Sequence, residues 1–369
     1  MNKKSRIYVA GHTGLVGSNI LKKLYDYGYK NIITKDFREL DLRRQSQVES
    51  FFEKECPEYV FLAAAKVGGI LANNTYKAEF IYDNLMIAAN VIHASYKYKV
   101  KKLLNLGSSC IYPKNSKQPI KEEYLLSDYL EETNEPYAIA KISAVKLCRY
   151  YNEQYGTNFI SLMPTNLYGP GDNFNLETSH VLAALIRKFH LARLLQEKNI
   201  EMLRIDLKKN FLGYKLDQNI DLNNELVIKK VLQRLGITAD YVRLWGSGSP
   251  NREFLYVEDL ANAAFYIMKN HNYNEIGEII NIGCGYDIQI KDLAFLIKNI
   301  VGFKGEIKFD FKTPDGTLKK LLDISKSKKL GWSFKVDLEL GIKKTYEWYL
   351  STLRIQSLNL KQIADRVVM

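Results

Sequence analysis

The sequence contains no apolar run of about 18 residues, the length that a membrane-spanning helix needs. Its N-terminal Met-Asn-Lys-Lys leads directly into a short apolar strand pattern, without the apolar core of a signal peptide. The four cysteines lie far apart, so they have neither the paired spacing of a metal site nor that of a disulfide framework. We therefore expect a reduced, cytoplasmic protein with no metal site and no membrane contact.

The sequence also lacks a block of basic residues, although its formal net charge is +12. Lysine and arginine are scattered through the chain, with no basic tail and no basic run interleaved with aromatic residues, which argues against nucleic-acid binding. A phosphorylated cofactor and an anionic small substrate are sufficient reasons for the positive charge. An apolar content of 46% in 369 residues is typical of a globular protein with one large domain or two.

Three glycines follow the first apolar strand and open an amphipathic helix. Gly11, Gly14 and Gly17 are spaced Gly-x-x-Gly-x-x-Gly, with Leu15 and Val16 between the last two. Glycines allow backbone N–H groups to approach a pyrophosphate, and the N-terminus of a helix favours its negative charge. The strand, turn and helix together predict a dinucleotide site that these five residues form.

The second predicted strand, residues 31–34, precedes a charged loop that bears on the choice of cofactor. Lys35 and Arg38 suit the 2′-phosphate of NADP, whereas Asp36 would suit the ribose hydroxyl of NAD. The two cations favour NADP(H). Asp41 and Leu42 follow where an adenine edge would lie, and we expect them to contact the cofactor.

Strands alternate with helices from the N-terminus to about residue 170, which predicts an α/β fold with a Rossmann-type doubly wound parallel sheet. Later segments suit a smaller α/β lobe for the substrate. The predicted organisation is an NADP-binding domain of residues 1–170 with returning segments near 246–285, a substrate-binding lobe of 171–245 and 286–350 with an insertion at about 196–241, and a helical C-terminal tail of 351–369.

A strand at residues 102–106 and a later helix carry a possible redox site. Ser108 follows the strand, while Tyr137 and Lys141 are spaced i and i+4, hence on one face of a helix that begins after Pro136. An ammonium one turn away is expected to lower the pKa of the Tyr137 phenol. A serine hydroxyl beside such a phenol can hold a substrate oxygen, so these residues suit carbonyl/alcohol redox chemistry.

Taken together, several blocks resemble those of the GDP-L-fucose synthase family (GDP-4-keto-6-deoxymannose 3,5-epimerase/4-reductases) in the extended short-chain dehydrogenase/reductase superfamily. The resemblance covers about residues 5–350 apart from the insertion. The blocks are residues 10–17, 63–70, 73–76, 106–113, 134–141, 163–170, 179–180 and 252–255.

The resemblance implies roles for individual residues. Ser108, Tyr137 and Lys141 match the reductase triad, and Cys110 and His180 match the acid/base pair of the epimerisation. It further implies cofactor contacts by Ala64, Lys141, Asn166 and His180, and substrate contacts by Ser109, Lys114, Asn166, Arg187, Trp245, Arg252 and Lys319.

The implied chemistry is consistent with these residue types. A C4 ketone acidifies the hydrogens on C3 and C5, and inversion of either carbon needs a base on one face and an acid on the other. A thiol and an imidazole can exchange those duties near neutral pH. The resemblance therefore implies NADPH-dependent reduction of a GDP-4-keto-6-deoxy-hexose with C3/C5 epimerisation, in nucleotide-sugar synthesis for surface glycans such as capsule or lipopolysaccharide.

Other functions remain open. Some relatives with this framework reduce a GDP-4-keto-6-deoxy-heptose, and some of those do so without epimerising. Cys110 could also be a small buried filler. A 4,6-dehydratase would need an acid beside Ser108, where Ser109, Cys110 and Ile111 stand instead. A non-enzymatic NADP-sensing module would not need Ser108, Tyr137 and Lys141 together, and this sequence has all three. From the superfamily we also expect a homodimer formed by helices near 78–98 and 137–155.

Overall fold

The computed structural model describes residues 1–218, 220–312 and 317–367, and the chain divides into two compact units. The first unit contains Met1–Leu167, Glu253–Asp287 and Lys320–Val336, and the second contains Tyr168–Arg252, Ile288–Lys319 and the chain from Asp337 onward. Four stretches therefore differ from the predicted boundaries. Residues 168–170 and 246–252 belong to the second unit, and residues 286–287 and 320–336 belong to the first.

The secondary-structure elements follow the predicted alternation. Up to residue 168 they are β1 (Ile7–Ala10), α1 (Leu15–Asp26), β2 (Ile32–Ile33), α2 (Gln45–Glu55), β3 (Tyr59–Leu62), α3 (Ile70–Thr75), α4 (Lys77–Lys97), β4 (Lys102–Leu106), α5 (Glu135–Tyr155), β5 (Phe159–Pro164) and β6 (Asn166–Tyr168). The rest are α6 (Val181–Gln196), α7 (Ile200–Lys209), α8 (Glu225–Arg234), β7 (Tyr241–Trp245), β8 (Asn251–Arg252), β9 (Phe254–Tyr256), α9 (Val257–Asn270), α10 (Tyr273–Ile276), β10 (Ile280–Ile282), β11 (Ile288–Gln289), α11 (Ile290–Val301), β12 (Glu306–Asp310), β13 (Lys319–Lys320), α12 (Ser325–Lys329) and α13 (Leu338–Val367).

The first unit is built on a six-stranded parallel sheet in the order β10-β5-β4-β3-β1-β2. Ile7 of β1 pairs with Ile32 on one side and with Tyr59 on the other. The chain moves outward from β1 in both directions, so the strand order reverses between β1 and β3. In open parallel sheets, ligands bind outside the carboxyl ends of the strands at such a reversal. The doubly wound fold is confirmed.

Both faces of this sheet are covered, which explains why its strands read as continuous apolar runs. Ile7 and Val9 belong to a core with residues of α1 and α9, whereas Tyr8 and Ala10 belong to a second core with residues of α2, α4 and α5. Successive residues of a strand point to opposite faces, so one short strand contributes to both cores.

The second unit contains α6, α7, α8, α11 and α13 with small sheets. Its β7 and β12 pair in parallel, and β8 pairs with β11 in antiparallel register. The predicted insertion forms α7 and α8 and the segments around them. The predicted tail continues the helix α13 through Val367, and its last two residues lie outside the described part. None of the helices in the described residues is long and apolar enough to span a bilayer.

Candidate active site

The glycine turn between β1 and α1 packs against the loop that follows β3. Gly11 has a φ of +80°, and a Cβ atom there would lie 2.7 Å from the backbone nitrogen of Ala64. A Cβ atom on Gly17 would lie 2.0 Å from the carbonyl oxygen of Gly11. Both positions require glycine, because a side chain would push two backbone segments apart. Ala64, a predicted cofactor residue, thus lies against the glycine turn at the reversal of strand order.

The start of α1 is suited to an anion. Gly14 is its N-cap and offers no side-chain cap, and the first turn carries no acidic residue. The first backbone bond of the helix joins the N–H of Ser18 to the carbonyl oxygen of Gly14. By helix geometry, the N–H groups of Leu15, Val16 and Gly17 therefore have no acceptor within the helix. A pyrophosphate supplies such acceptors, so the turn fits the phosphates of a dinucleotide.

Substitution of Gly17 by alanine is expected to lower NADPH affinity by about 100-fold, because displacement of a binding segment by about 1 Å has effects of that order. The reason is the close approach of its Cβ position to the Gly11 carbonyl. Titration of the intrinsic fluorescence with NADPH measures the affinity, with circular dichroism to monitor the fold. Gly14→Ala is the matched control, since its Cβ would lie 3.6 Å from the same oxygen and φ is −81°. An equal loss in both variants would contradict this account of the turn.

The charged residues of the loop after β2 differ in whether they have partners within the loop. Lys35 Nζ is 2.8 Å from Glu39 Oε1, whereas Arg38 is exposed and forms no ion pair in the described part of the chain. The Asp36 carboxylate accepts hydrogen bonds from the N–H groups of Arg38, at 2.8 Å, and Glu39, at 3.1 Å. Asp36 is therefore used inside the loop, which removes the sequence argument for NAD.

Asp41 and Leu42 are also held from within the first unit. Asp41 forms a paired contact with Arg43, whose Nε and Nη2 each lie 2.9 Å from a carboxylate oxygen. Arg43 Nη1 also lies 3.1 Å from Asp83 Oδ1 on α4. The Arg43 guanidinium lies 5.0 Å from the ring centroid of Phe37. The buried Leu42 remains a predicted cofactor contact, as does Asp41. Sequence analysis did not predict the ion pairs of Arg43, since nothing in the local pattern distinguishes this residue from a solvated cation.

Substitution of Arg38 by alanine is expected to reduce kcat/KM with NADPH by about tenfold and to leave the value with NADH unchanged. The reason is that an unpaired guanidinium is well suited to bind a phosphate, and one charge-assisted contact of about 1.4 kcal/mol corresponds to that factor. Steady-state kinetics with both cofactors measure the effect. Lys30→Ala, which removes another exposed cation of this unit, is the control. A parallel fall with both cofactors would show that Arg38 does not contact the 2′-phosphate.

The residues predicted for redox chemistry meet at the carboxyl end of β4. Lys141 Nζ donates to the carbonyl oxygen of Leu106 at 2.7 Å and lies 5.7 Å from the ring centroid of Tyr137. The Ser108 hydroxyl accepts from the N–H of Cys110 at 3.2 Å and lies close enough to the Tyr137 phenol to lower its pKa. Thus Ser108, Cys110, Tyr137 and Lys141 form one group within the first unit.

The pKa of Tyr137 differs from the sequence-based expectation. Burial raises it, the nearby Cys110 thiol raises it further, and the hydrogen bond from Ser108 acts in the opposite direction. Phe80 of α4 contributes to this apolar environment, with its ring centroid 6.5 Å from that of Tyr137. Burial also lowers the pKa of Lys141 to about 8. The predicted lowering of the Tyr137 pKa is therefore wrong, because desolvation by burial is the largest influence on this phenol.

Three further predicted residues belong to the first unit. Ser109 is 4% exposed and sits in a short 3-10 turn, so Ser108 is the member of the serine pair that meets the phenol. Lys114 is exposed. Asn166 donates to the carbonyl oxygen of Glu253 at 2.9 Å. The fully buried Glu253 carboxylate in turn accepts from three backbone N–H groups, those of Cys284, Gly285 and Leu322.

His180 and Trp245 belong to the second unit. His180 is exposed and is the N-cap residue of α6. On β7 the side chains alternate, so Val242 and Leu244 are buried while Arg243 is exposed and Trp245 is 57% exposed. Trp245 therefore presents an aromatic face rather than filling a core.

Arg187 does not face a ligand, contrary to the sequence-based prediction. It is 0% exposed, and Asp206 accepts from its Nε and Nη2 at 3.0 and 2.8 Å. The remaining N–H groups donate to the carbonyl oxygens of Phe174, Asn210 and Phe211. All five donors of a guanidinium are thereby used, so none remains for a substrate.

The next residue, Lys188, is the cation that sequence analysis missed. Its Nζ lies 5.8 Å from the ring centroid of Trp245 and donates to the carbonyl oxygen of Arg243 at 3.2 Å. Burial lowers its pKa to about 8, with a smaller contribution from the Arg243 guanidinium. A partly desolvated ammonium beside an exposed indole and a second cation suits a phosphorylated ligand that carries an aromatic base.

Arg252 and Lys319 complete the predicted substrate residues. Arg252 Nη1 donates to the carbonyl oxygens of Asn251, at 2.8 Å, and Thr317, at 2.6 Å. These bonds orient the guanidinium within the second unit. Lys319 is exposed on β13. Both residues remain predicted substrate contacts.

Comparisons with known proteins agree with this architecture. A family model described as "NAD dependent epimerase/dehydratase family" matches residues 7–222 and 209–283. The GDP-L-fucose synthase 1 of Arabidopsis thaliana is 48% identical over 352 residues, which cover 95% of this chain and 95% of that protein. A GDP-6-OMe-4-keto-L-xylo-heptose reductase from Campylobacter jejuni has a TM-score of 0.88 at 44% identity, covering 95% of this chain and 99% of that one. A GDP-mannoheptose C4 reductase from Campylobacter jejuni, solved with NADP bound, has a TM-score of 0.82 at 44% identity with the same coverage.

Proposed function

Since this chain belongs to the NAD dependent epimerase/dehydratase family and, within it, to the group of the GDP-L-fucose synthases, we propose that it is an NADPH-dependent reductase of the C4 ketone of a GDP-4-keto-6-deoxy-hexose that also epimerises C3 and C5. The observation that carries this proposal is the group of Ser108, Tyr137 and Lys141 at the carboxyl end of β4.

The raised pKa of Tyr137 suits reduction. A phenol that keeps its proton at neutral pH is in the correct state to donate it to the C4 oxygen as negative charge develops there. Ser108 lies beside that phenol, and its hydroxyl can bind the C4 oxygen together with it. When bound, NADPH supplies a hydride to C4.

Lys141 supports the proton transfer. Its ammonium, oriented by the Leu106 carbonyl, lies on the same helix face as Tyr137 and stabilises the phenolate left after donation. The ammonium also suits hydrogen bonds to the nicotinamide ribose hydroxyls.

Epimerisation is assigned to Cys110 and His180. Cys110 is beside Tyr137 in the first unit, and His180 is exposed at the start of α6. One of the two removes the proton alpha to the ketone and the other returns a proton from the opposite face. A thiol and an imidazole can each act as a proton donor or acceptor, and inversion needs one such group on each face because a single base would return the proton to the face it came from.

The GDP portion of the substrate fits the second unit. Trp245 offers an exposed ring for the guanine base, and Lys188 and Arg243 offer cations for the diphosphate. We include Arg252 and Lys319 as further contacts there, with Asn166, Ser109 and Lys114 for the sugar. Lys188 takes the place that sequence analysis gave to Arg187.

A GDP-4-keto-6-deoxy-heptose is the second candidate substrate. It is favoured by the TM-score of 0.88 with the heptose reductase from Campylobacter jejuni. The order of catalytic efficiency with the two keto-sugars distinguishes the candidates, measured as NADPH consumption. Failure to consume NADPH with either sugar, in a protein that binds NADPH, would overturn the proposed function.

We further propose a cytoplasmic homodimer that makes deoxysugar nucleotides for surface glycans such as capsule or lipopolysaccharide. The helices α4 and α5, which pack on each other, carry exposed aromatic side chains suited to a helical interface: Tyr82, Tyr150 and Tyr155. Light scattering on the purified protein tests the dimer. A mass near the 42.6 kDa of one chain would contradict it.

A further inference from the structure

The insertion in the second unit contacts the loop that leads to His180. This loop, residues 169–179, connects β6 to α6, and we call it the histidine loop. Inside it, the Asn175 side chain accepts from the N–H groups of Glu177 and Thr178, and the N–H of Ser179 donates to the Asn175 carbonyl oxygen. These bonds shape the loop locally, yet they do not fix its position relative to the rest of the unit.

The buried Arg187 described above joins the histidine loop to the insertion, and we call its contacts the inner tether. Its Nη1 donates both to the carbonyl oxygen of Phe174 in the histidine loop, at 3.0 Å, and to that of Phe211 in the insertion, at 2.6 Å. The partner carboxylate of Asp206, on α7 of the insertion, is 0% exposed. Asp206 also accepts from the Tyr349 hydroxyl, and the Tyr349 ring packs 4.5 Å from that of Phe174. One guanidinium thus joins the loop to the insertion.

A second set of contacts between the histidine loop and the insertion, which we call the outer tether, involves Leu176 and Glu177. The Glu177 carboxylate accepts from the N–H of Tyr214 at 2.7 Å, and the Tyr214 hydroxyl donates to the carbonyl oxygen of Leu176 at 3.3 Å. Gly213 has a φ of +79°, and a Cβ there would lie 2.4 Å from Glu177 Cβ. Asp217 accepts from the N–H groups of Leu212 and Gly213, which holds this turn of the insertion in shape.

The histidine loop also carries polar atoms that suit a ligand. Asp172 Oδ2 and Ser179 Oγ are both buried and have no hydrogen-bond partner in the described part of the chain. Buried polar atoms are normally paired, so these two atoms are consistent with a loop that meets a polar molecule.

We propose that the insertion positions His180, with Arg187, Asp206 and Glu177 as positioning residues that hold the histidine loop. This inference deepens the proposed epimerase function and rests on it. Arg187 and Glu177 act through the loop backbone and touch no substrate. The insertion therefore serves the epimerisation half of the reaction rather than the reduction.

The outer tether allows a test that spares the buried ion pair. Glu177→Ala removes the acceptor of the Tyr214 N–H, whereas Glu177→Gln keeps an amide oxygen for it. Hydrogen-exchange mass spectrometry of the full-length protein should show about tenfold faster exchange of residues 173–180 in Glu177→Ala, since loss of a tether lowers the cost of local opening. Glu177→Gln should be close to wild type. Glu201→Ala, an exposed acidic residue of α7, is the matched control.

The second readout is catalytic. Glu177→Ala should slow deuterium incorporation from solvent at C3 and C5 by about tenfold at unchanged C4 reduction rate, in line with the cost of misplaced catalytic groups, and Glu177→Gln should restore it. Unchanged hydrogen exchange in Glu177→Ala would overturn the proposal, and so would an equal fall of epimerisation and reduction. If the wild-type protein incorporated no deuterium, the proposed epimerase function would fail instead, and the hydrogen-exchange comparison would still decide whether the tether exists.

Discussion

Substitution of Tyr137 by phenylalanine is expected to lower the rate of C4 reduction by about 10²- to 10⁴-fold, the usual contribution of a positioned general acid. The phenol is the group whose proton the C4 oxygen receives, and its raised pKa keeps it protonated for that step. The ring itself remains, so its contacts with Phe80 and the affinity for NADPH should change little. Single-turnover consumption of NADPH with saturating keto-sugar measures the rate, and a fluorescence titration measures the affinity.

The control for this prediction is Tyr150→Phe, on the same helix α5. Tyr150 is 53% exposed, and loss of its hydroxyl should leave the rate unchanged. Retained turnover in Tyr137→Phe would contradict the assignment of Tyr137 as proton donor. A loss of NADPH binding as large as the loss of rate would instead indicate a structural role.

Substitution of Cys110 by serine is expected to separate the two activities. A serine hydroxyl is a far weaker base than a thiolate, so proton exchange at C3 and C5 should fall by about 10²- to 10⁴-fold. Reduction should persist, because Ser108, Tyr137 and Lys141 are unchanged and keep their own contacts. Solvent deuterium in the recovered keto-sugar, measured without NADPH, reports the exchange alone.

Cys56→Ser is the matched control, since Cys56 is the exposed cysteine of the first unit and lies at the end of α2. It should not change either activity. Equal losses of exchange and reduction in Cys110→Ser would contradict the assignment of epimerisation to Cys110 and of reduction to Tyr137.

The sequence was sufficient where the governing interactions are local. The glycine turn is encoded by its own spacing, and the structure adds the reason, which is the contact of Gly11 with Ala64. The placement of Tyr137 and Lys141 on one helix face follows from their i and i+4 spacing. Alternation of apolar strands and amphipathic helices likewise predicted the doubly wound sheet, which is confirmed.

The sequence was insufficient where burial and long-range contacts decide the outcome. Helix α6 is buried on nearly all sides, so its pattern could not show that Arg187 points inward while Lys188 lies beside Trp245. Spacing alone also says nothing about desolvation, which raises the pKa of Tyr137 despite its lysine neighbour. The return of residues 320–336 to the first unit depends on contacts such as the bridge of Ile120 to Leu322, which are distant in sequence.

The most direct test of the central claim is the fate of solvent deuterium. The protein is incubated with GDP-4-keto-6-deoxymannose in deuterated water, NADPH is added, and the product is analysed by NMR. The account predicts GDP-L-fucose with deuterium at C3 and C5 and protium at C4 from NADPH. Recovery of unreduced keto-sugar without deuterium, from protein that binds NADPH and is folded, would contradict it.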